Sequence, residues 1–113
     1  MTIREIAGLL NANVYSSDET LMQKDVETAF GSDMMSDVLA FADDRDVLLT
    51  GLLNPQIVRT AHMLDMRCII IVRGKTATEE IKRLAAENHI ALLETKLTMY
   101  VASGKLYEGG LGR

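Results

Sequence analysis

The chain has 113 residues, 48% hydrophobic and 25% charged, with a formal charge of −4 and a pI near 5.1. That size and composition suit one ordinary globular domain able to bury its own core, and exclude a disordered or fibrous chain. The acidic balance gives no general attraction for nucleic-acid phosphates or anionic lipid, and no apolar run approaches the roughly 20 residues of a membrane span.

The start, MTIREIAGLL, carries Glu5 and cap chemistry where a signal peptide would have a basic start and a cleavage site. The single cysteine, Cys68, cannot close an internal disulfide, and inside an apolar run it reads as a small buried hydrophobe. A soluble protein of the reducing cytoplasm is the expectation.

Thr2-Ile3-Arg4-Glu5 is a capping box, and Ile3, Ile6, Ala7 and Leu10 follow at helical spacing, which predicts a helix over 3 to 10 ended by Asn11 or Asn13. Val14-Tyr15 and Val26 to Phe30 read as short strands around a polar turn, Ser16 to Thr20. Met34, Met35, Val38, Leu39 and Ala42 then predict a helix over 33 to 42, capped by Ser32 or Asp33. The acidic stretch Asp43 to Asp46 reads as a solvated loop into a buried strand, Val47 to Thr50.

From there a regular alternation begins. Asn54 caps a helix with Pro55 at its first position and Ile57, Val58, Ala61 and Leu64 inside. Strand Cys68 to Val72 follows. Thr76 caps the next helix, burying Ala77, Ile81, Leu84 and Ala85, with Glu79, Arg83 and Glu87 paired i,i+4 outside. Strand Ile90 to Leu93 closes the unit, and Thr95 caps a last helix carrying Leu97, Tyr100 and Val101. A shift of 22 residues lays Asn54 on Thr76 and Cys68 on Ile90, the period of one strand-helix unit. The expected fold is therefore α/β: a single domain with a central, largely parallel sheet built from βα units and helices packed around it. It spans residues 1 to 108, and the glycine-rich 109 to 113 reads as a flexible tail.

Arg73-Gly74-Lys75-Thr76 resembles the end of a nucleotide-binding P-loop, but Ile69 stands where the first glycine belongs, and the connection is too short to encircle a triphosphate. A single anionic group is a smaller demand. The N–H groups of Ala77 and Thr78 at a helix start, with Arg73, Lys75 and the Thr76 hydroxyl around them, would suit one; alternatively the charges are solvated loop residues and Thr76 only a cap.

Ligands of open α/β sheets sit beyond the carboxyl ends of the strands. That rim gathers Thr50, Gly51 and Asn54, then Arg73, Gly74, Lys75 and Thr76, then Glu94 and Thr95, with Ser32, Asp33, Ser36 and Asp37 as secondary candidates. His62, His89 and Cys68 lack metal-site spacing, no nucleophile elbow is present, and Asp33 with Asp37 has no base that the sequence places nearby. No metal, cofactor or enzymatic activity is expected. The seven methionines either fill core gaps or form an adaptable contact surface, and the apolar excess also suits a homodimer face.

The blocks "TIREIAGLLNANVYS", "VETAFGSDMMSDVLAF", "DVLLTG", "CIIIVRG" and "IALLET" together resemble the DRTGG domain family over nearly the whole chain. That family is similar to the N-terminal domain of HPr kinase/phosphorylase and occurs alone, beside CBS pairs in regulated pyrophosphatases, and in some phosphotransacetylases. Thr50-Gly51 matches the family's Thr-Gly, whereas Leu52-Leu53 stand where an acidic residue and arginine are common, and Val72-Arg73-Gly74 replaces Thr-Gly-Gly. The resemblance implies a non-catalytic regulatory or dimerisation module; together with the helix starts clustered at the rim, the expectation is one that senses a small anionic ligand or nucleotide, and the alternative is an adaptor for a protein partner.

Overall fold

The computed structural model describes residues 1–15 and 18–112. Helix α1 (Ile3–Leu9) starts at the expected capping box: the Thr2 hydroxyl accepts from Glu5 N–H at 3.1 Å while the Glu5 carboxylate accepts from Thr2 N–H at 2.8 Å. After β1 (Asn13–Val14), Ser16 and Ser17 of the expected polar turn lie outside the described residues. Its remainder is not a turn: the Asp18 carboxylate caps a four-residue helix, α2 (Glu19–Met22), which buries Leu21 and Met22.

Strand β2 (Ala29–Gly31) leads to α3 (Met35–Phe41), two residues later than expected. Its cap position is Met34, which makes no side-chain cap bond; the Ser32 hydroxyl accepts from Met34 N–H at 3.0 Å, and Asp33 is used elsewhere. The acidic loop is also less solvated than expected. Asp46 accepts from Glu27 N–H at 2.9 Å and from the Thr28 hydroxyl at 3.3 Å, fastening the entry to β3 (Val47–Thr50).

The remaining elements are α4 (Gln56–Met63), β4 (Cys68–Ile71), α5 (Glu79–Glu87), β5 (Ala91–Glu94) and α6 (Met99–Glu108). Three caps differ from expectation. The cap position of α4 is Pro55, not Asn54, and it makes no side-chain cap bond. Thr78, not Thr76, accepts from Ile81 N–H at the start of α5, and Thr98, not Thr95, accepts from Val101 N–H at the start of α6. Outside α5, Arg83 pairs with Glu87 at 3.2 Å as expected, but Glu79 pairs with Lys82 at 3.4 Å.

Among the described residues, five strands lie in the order β1-β5-β4-β3-β2, all parallel except β1, which runs antiparallel to β5. Val47 stands beside Cys68 and Cys68 beside Ala91, so the 22-residue repeat is two unequal steps of 21 and 23 residues. Every residue of the three central strands is buried, as a parallel sheet covered on both faces requires.

The alternation along each strand divides the core. Val47, Leu49, Cys68, Ile70 and Leu93 pack under α1, α2 and α6; Leu48, Ile69, Ile71 and Leu92 pack under α3, α4 and α5. Cys68 is fully buried, and burial pushes its thiol well above the ordinary range. At the glycine-flanked end, Leu111 is buried in the first of these cores and its N–H donates to Leu106 C=O at 2.9 Å, where a flexible tail was expected.

Candidate functional site

The carboxyl ends of β3, β4 and β5 bring most of the rim residues together, but in two groups. The first is centred on Asp33. One carboxylate oxygen accepts from Gly51 N–H at 2.6 Å and from the Thr50 hydroxyl at 3.4 Å; the other accepts from the Arg73 guanidinium at 3.1 Å. The Gly51 N–H, with the Arg73 charge assisting, holds the Asp33 carboxyl below the usual range against the opposing effect of its partial burial. Gly51 fits because it lacks a side chain: a Cβ there would overlap the Arg73 guanidinium. Lys75 adds a second strap, donating to Gly51 C=O at 2.7 Å.

The turn after β4 explains why RGKT cannot act as a P-loop. Arg73 and Gly74 both take left-handed backbone, with φ of 66° and 71°. Their N–H groups donate to Leu97 C=O at 2.8 Å and Thr95 C=O at 3.0 Å, so they are spent on the neighbouring loop. The start of α5 is likewise not open as expected. Ala77 N–H donates to Glu94 at 2.5 Å, and the other Glu94 oxygen accepts from the Tyr15 hydroxyl at 2.9 Å, so a buried carboxylate of the protein occupies the anion position. That bond to Glu94 raises the Tyr15 pKa, and Lys82 lies 4.2 Å from the centre of the Tyr15 ring.

The second group lines an open cleft of about 450 Å³ beyond the ends of β4 and β5. Gly74, Lys75 and Thr76 form one wall, Lys96 and Leu97 a second, and Asn11 with Asn13 a third. Thr76 and Lys96 are exposed there. The Thr95 hydroxyl beneath donates to Leu10 C=O at 2.8 Å and pins the α1 exit to the rim.

Four rim candidates fall outside both groups. Ser32 turns its hydroxyl to Met34 N–H ahead of α3. Asn54 precedes the α4 cap position, Pro55, and its side-chain oxygen accepts from Gln56 N–H at 2.9 Å. Ser36 is exposed and Asp37 half-buried on α3, and among the described residues no hydrogen bond ties either to the rim. Asn11, Asn13 and Lys96 are the polar cleft residues absent from the expected rim. The two asparagines carry no sequence signal beyond ending a helix; the pairing of β1 with β5 and the Thr95 bond to Leu10 C=O bring them to the rim.

A family model, the DRTGG domain, matches residues 5–108. The chain belongs to the DRTGG domain family. No curated protein matches the chain. Among solved structures, the CBS and DRTGG domains of the regulatory region of Clostridium perfringens pyrophosphatase, crystallised in complex with the activator diadenosine tetraphosphate, share the fold with a TM-score of 0.74 and 21% identity. The match covers 93% of this DRTGG chain and 45% of that chain, so this chain spans less than half the length of its neighbour. In this DRTGG domain the Thr50-Gly51 pair is a fully buried threonine and a glycine beneath an arginine, both bonded to Asp33.

Proposed function

We propose that this DRTGG domain is a non-catalytic cytoplasmic regulatory module, working as a homodimer, that senses a small anionic ligand or nucleotide at the carboxyl rim of its parallel strands. The observation that carries the reading is the cleft between Asn11, Asn13, Lys75, Thr76 and Lys96, where open α/β sheets hold their ligands. Two ammonium groups and several neutral donors suit phosphate or carboxylate oxygens. In this reading the site is centred on Lys75, Thr76 and Lys96, with Arg73, Thr50 and Gly51 as its scaffold. Further support is the company of the fold: the pyrophosphatase region that shares it is regulatory and was crystallised with a dinucleotide activator.

A second reading, an adaptor for a protein partner, is favoured by large apolar side chains left open on the helices: Met34 is 59% exposed, Phe41 66% and Met63 69%. Thermal unfolding against adenine and guanine nucleotides, diadenosine tetraphosphate, phosphorylated metabolites and inorganic phosphate separates the two. A ligand present at about 100 times its dissociation constant adds roughly 2.7 kcal/mol to the folded state. The expected result is such a shift for at least one phosphorylated ligand, abolished by Lys75→Ala with Lys96→Ala. Silence across the panel overturns the sensing role and leaves the adaptor.

A further inference from the structure

The cleft of the proposed site has two unlike sides, and together they specify more than a negative charge. On one side Lys75 and Lys96 lie on adjoining loops. A Cβ added at Gly74 would lie 4.0 Å from the Lys96 Cα, and the bonds from Arg73 N–H to Leu97 C=O and from Gly74 N–H to Thr95 C=O fasten the two loops together. The Lys75 ammonium uses one of its three donors on Gly51 C=O, and among the described residues the Lys96 ammonium has no ion pair. Two cations on one fastened pair of loops suit a phosphate, whose oxygens accept from both.

The other side is neutral. Of the four asparagines in the chain, Asn54 and Asn88 bond their side chains to backbone beside helix ends, to Gln56 N–H at 2.9 Å and Leu84 C=O at 2.8 Å. The amides of Asn11 and Asn13, like the Thr76 hydroxyl, have no such partner among the described residues. The left-handed backbone of Asn11, with φ of 50°, suits asparagine by itself. Asn13 stands in a strand, where asparagine is disfavoured, so its amide has no local reason to be there.

An amide offers donors and an acceptor together, and a hydroxyl does the same, so both are matched in full by a ligand hydroxyl. A nucleobase asks for a different surface, an aromatic or flat apolar one against its ring. Among the described residues no aromatic ring lines the cleft, and its apolar lining is Leu10, Ala12 and Leu97, the first of them almost fully buried. We propose that the ligand is a phosphorylated sugar or polyol, its phosphate held by Lys75 and Lys96 and its hydroxyls by Asn11, Asn13 and Thr76. The inference rests on the ligand site of the proposed function and narrows it from any small anion or nucleotide to one chemical class.

Isothermal titration of the full chain at one ionic strength compares glucose 6-phosphate, fructose 6-phosphate and glycerol 3-phosphate with inorganic phosphate and adenosine monophosphate. The expected result is that at least one of the first three binds about tenfold or more tighter than either of the last two. Asn13→Ala should remove that margin and leave the affinity for inorganic phosphate unchanged, whereas Lys96→Ala should weaken both. Tighter binding of adenosine monophosphate overturns the sugar or polyol and leaves the sensing site standing. Inorganic phosphate that binds as tightly as all three esters reduces the site to a bare anion site and overturns the inference too. An Asn13→Ala variant that lowers the ester and inorganic phosphate alike shows that the amide holds the fold of the cleft and not a hydroxyl. Silence from all five probes overturns the inference, while the thermal unfolding panel decides the sensing role separately.

Discussion

Asp33 shows how one side chain can be diverted from the role its position suggests. Lying just before a helix, it was a candidate cap or rim ligand, and it instead joins β3 to the turn after β4 through Gly51 and Arg73. Its lowered folded pKa fixes the sign of a pH effect. The stabilisation is fully present above the unfolded carboxylate value of about 3.9 and is lost as pH falls through the lower folded value. Since Arg73 and Asp33 are 39% and 43% exposed, solvent screening keeps the ion pair below about 1 kcal/mol. Urea unfolding of Asp33→Asn at pH 7 is therefore expected to show a small loss, with the wild-type advantage shrinking towards zero as acid protonates Asp33. An advantage that persisted unchanged below the folded pKa would show that the charge on Asp33 carries none of it.

At the scale of elements, strand and helix types from Val47 onward follow from pattern alone, because short apolar runs alternate with 3.6-period stripes. Caps are harder. Two threonines precede each of α5 and α6, Thr76 with Thr78 and Thr95 with Thr98, and composition does not distinguish them. The connection decides: Thr95 is still in the rim, bonded to Leu10 C=O, so the cap bond passes to Thr98. Helix α2 escapes the pattern because four residues cannot show a period. The consequence is measurable for α5: Thr78→Ala should cost about 1 kcal/mol of stability through loss of the Ile81 N–H acceptor, whereas Thr76→Ala should cost much less. Equal losses would mean that the cap is not where the hydrogen bond puts it.

For the whole molecule, the sequence makes the β3 to β5 unit legible and conceals half of the cleft. The wall formed by Asn11 and Asn13 comes from a segment about 80 residues from its strand partner, with Asn13 beside Glu94, and nothing local announces that return. By the same pairing, the antiparallel edge strand is a clasp made between the two ends of the domain. The β3-α4-β4-α5-β5 stretch closes through short connections, but α1 and β1 find their places only after the chain has reached Glu94 and Thr95. Loop closure over such separations is entropically late, so folding should proceed from the parallel centre outward and the N-terminal clasp should join last. Native-state hydrogen exchange is expected to find the amides of Ile69 and Ile70 opening only with global unfolding, and that of Tyr15, which donates to Leu92 C=O at 2.9 Å, opening at lower free energy. Equal protection at both places would contradict this order. A clasp that opens before the rest of the fold also unmakes one wall of the cleft, so a ligand of the proposed site would be held only while the chain's two ends are closed.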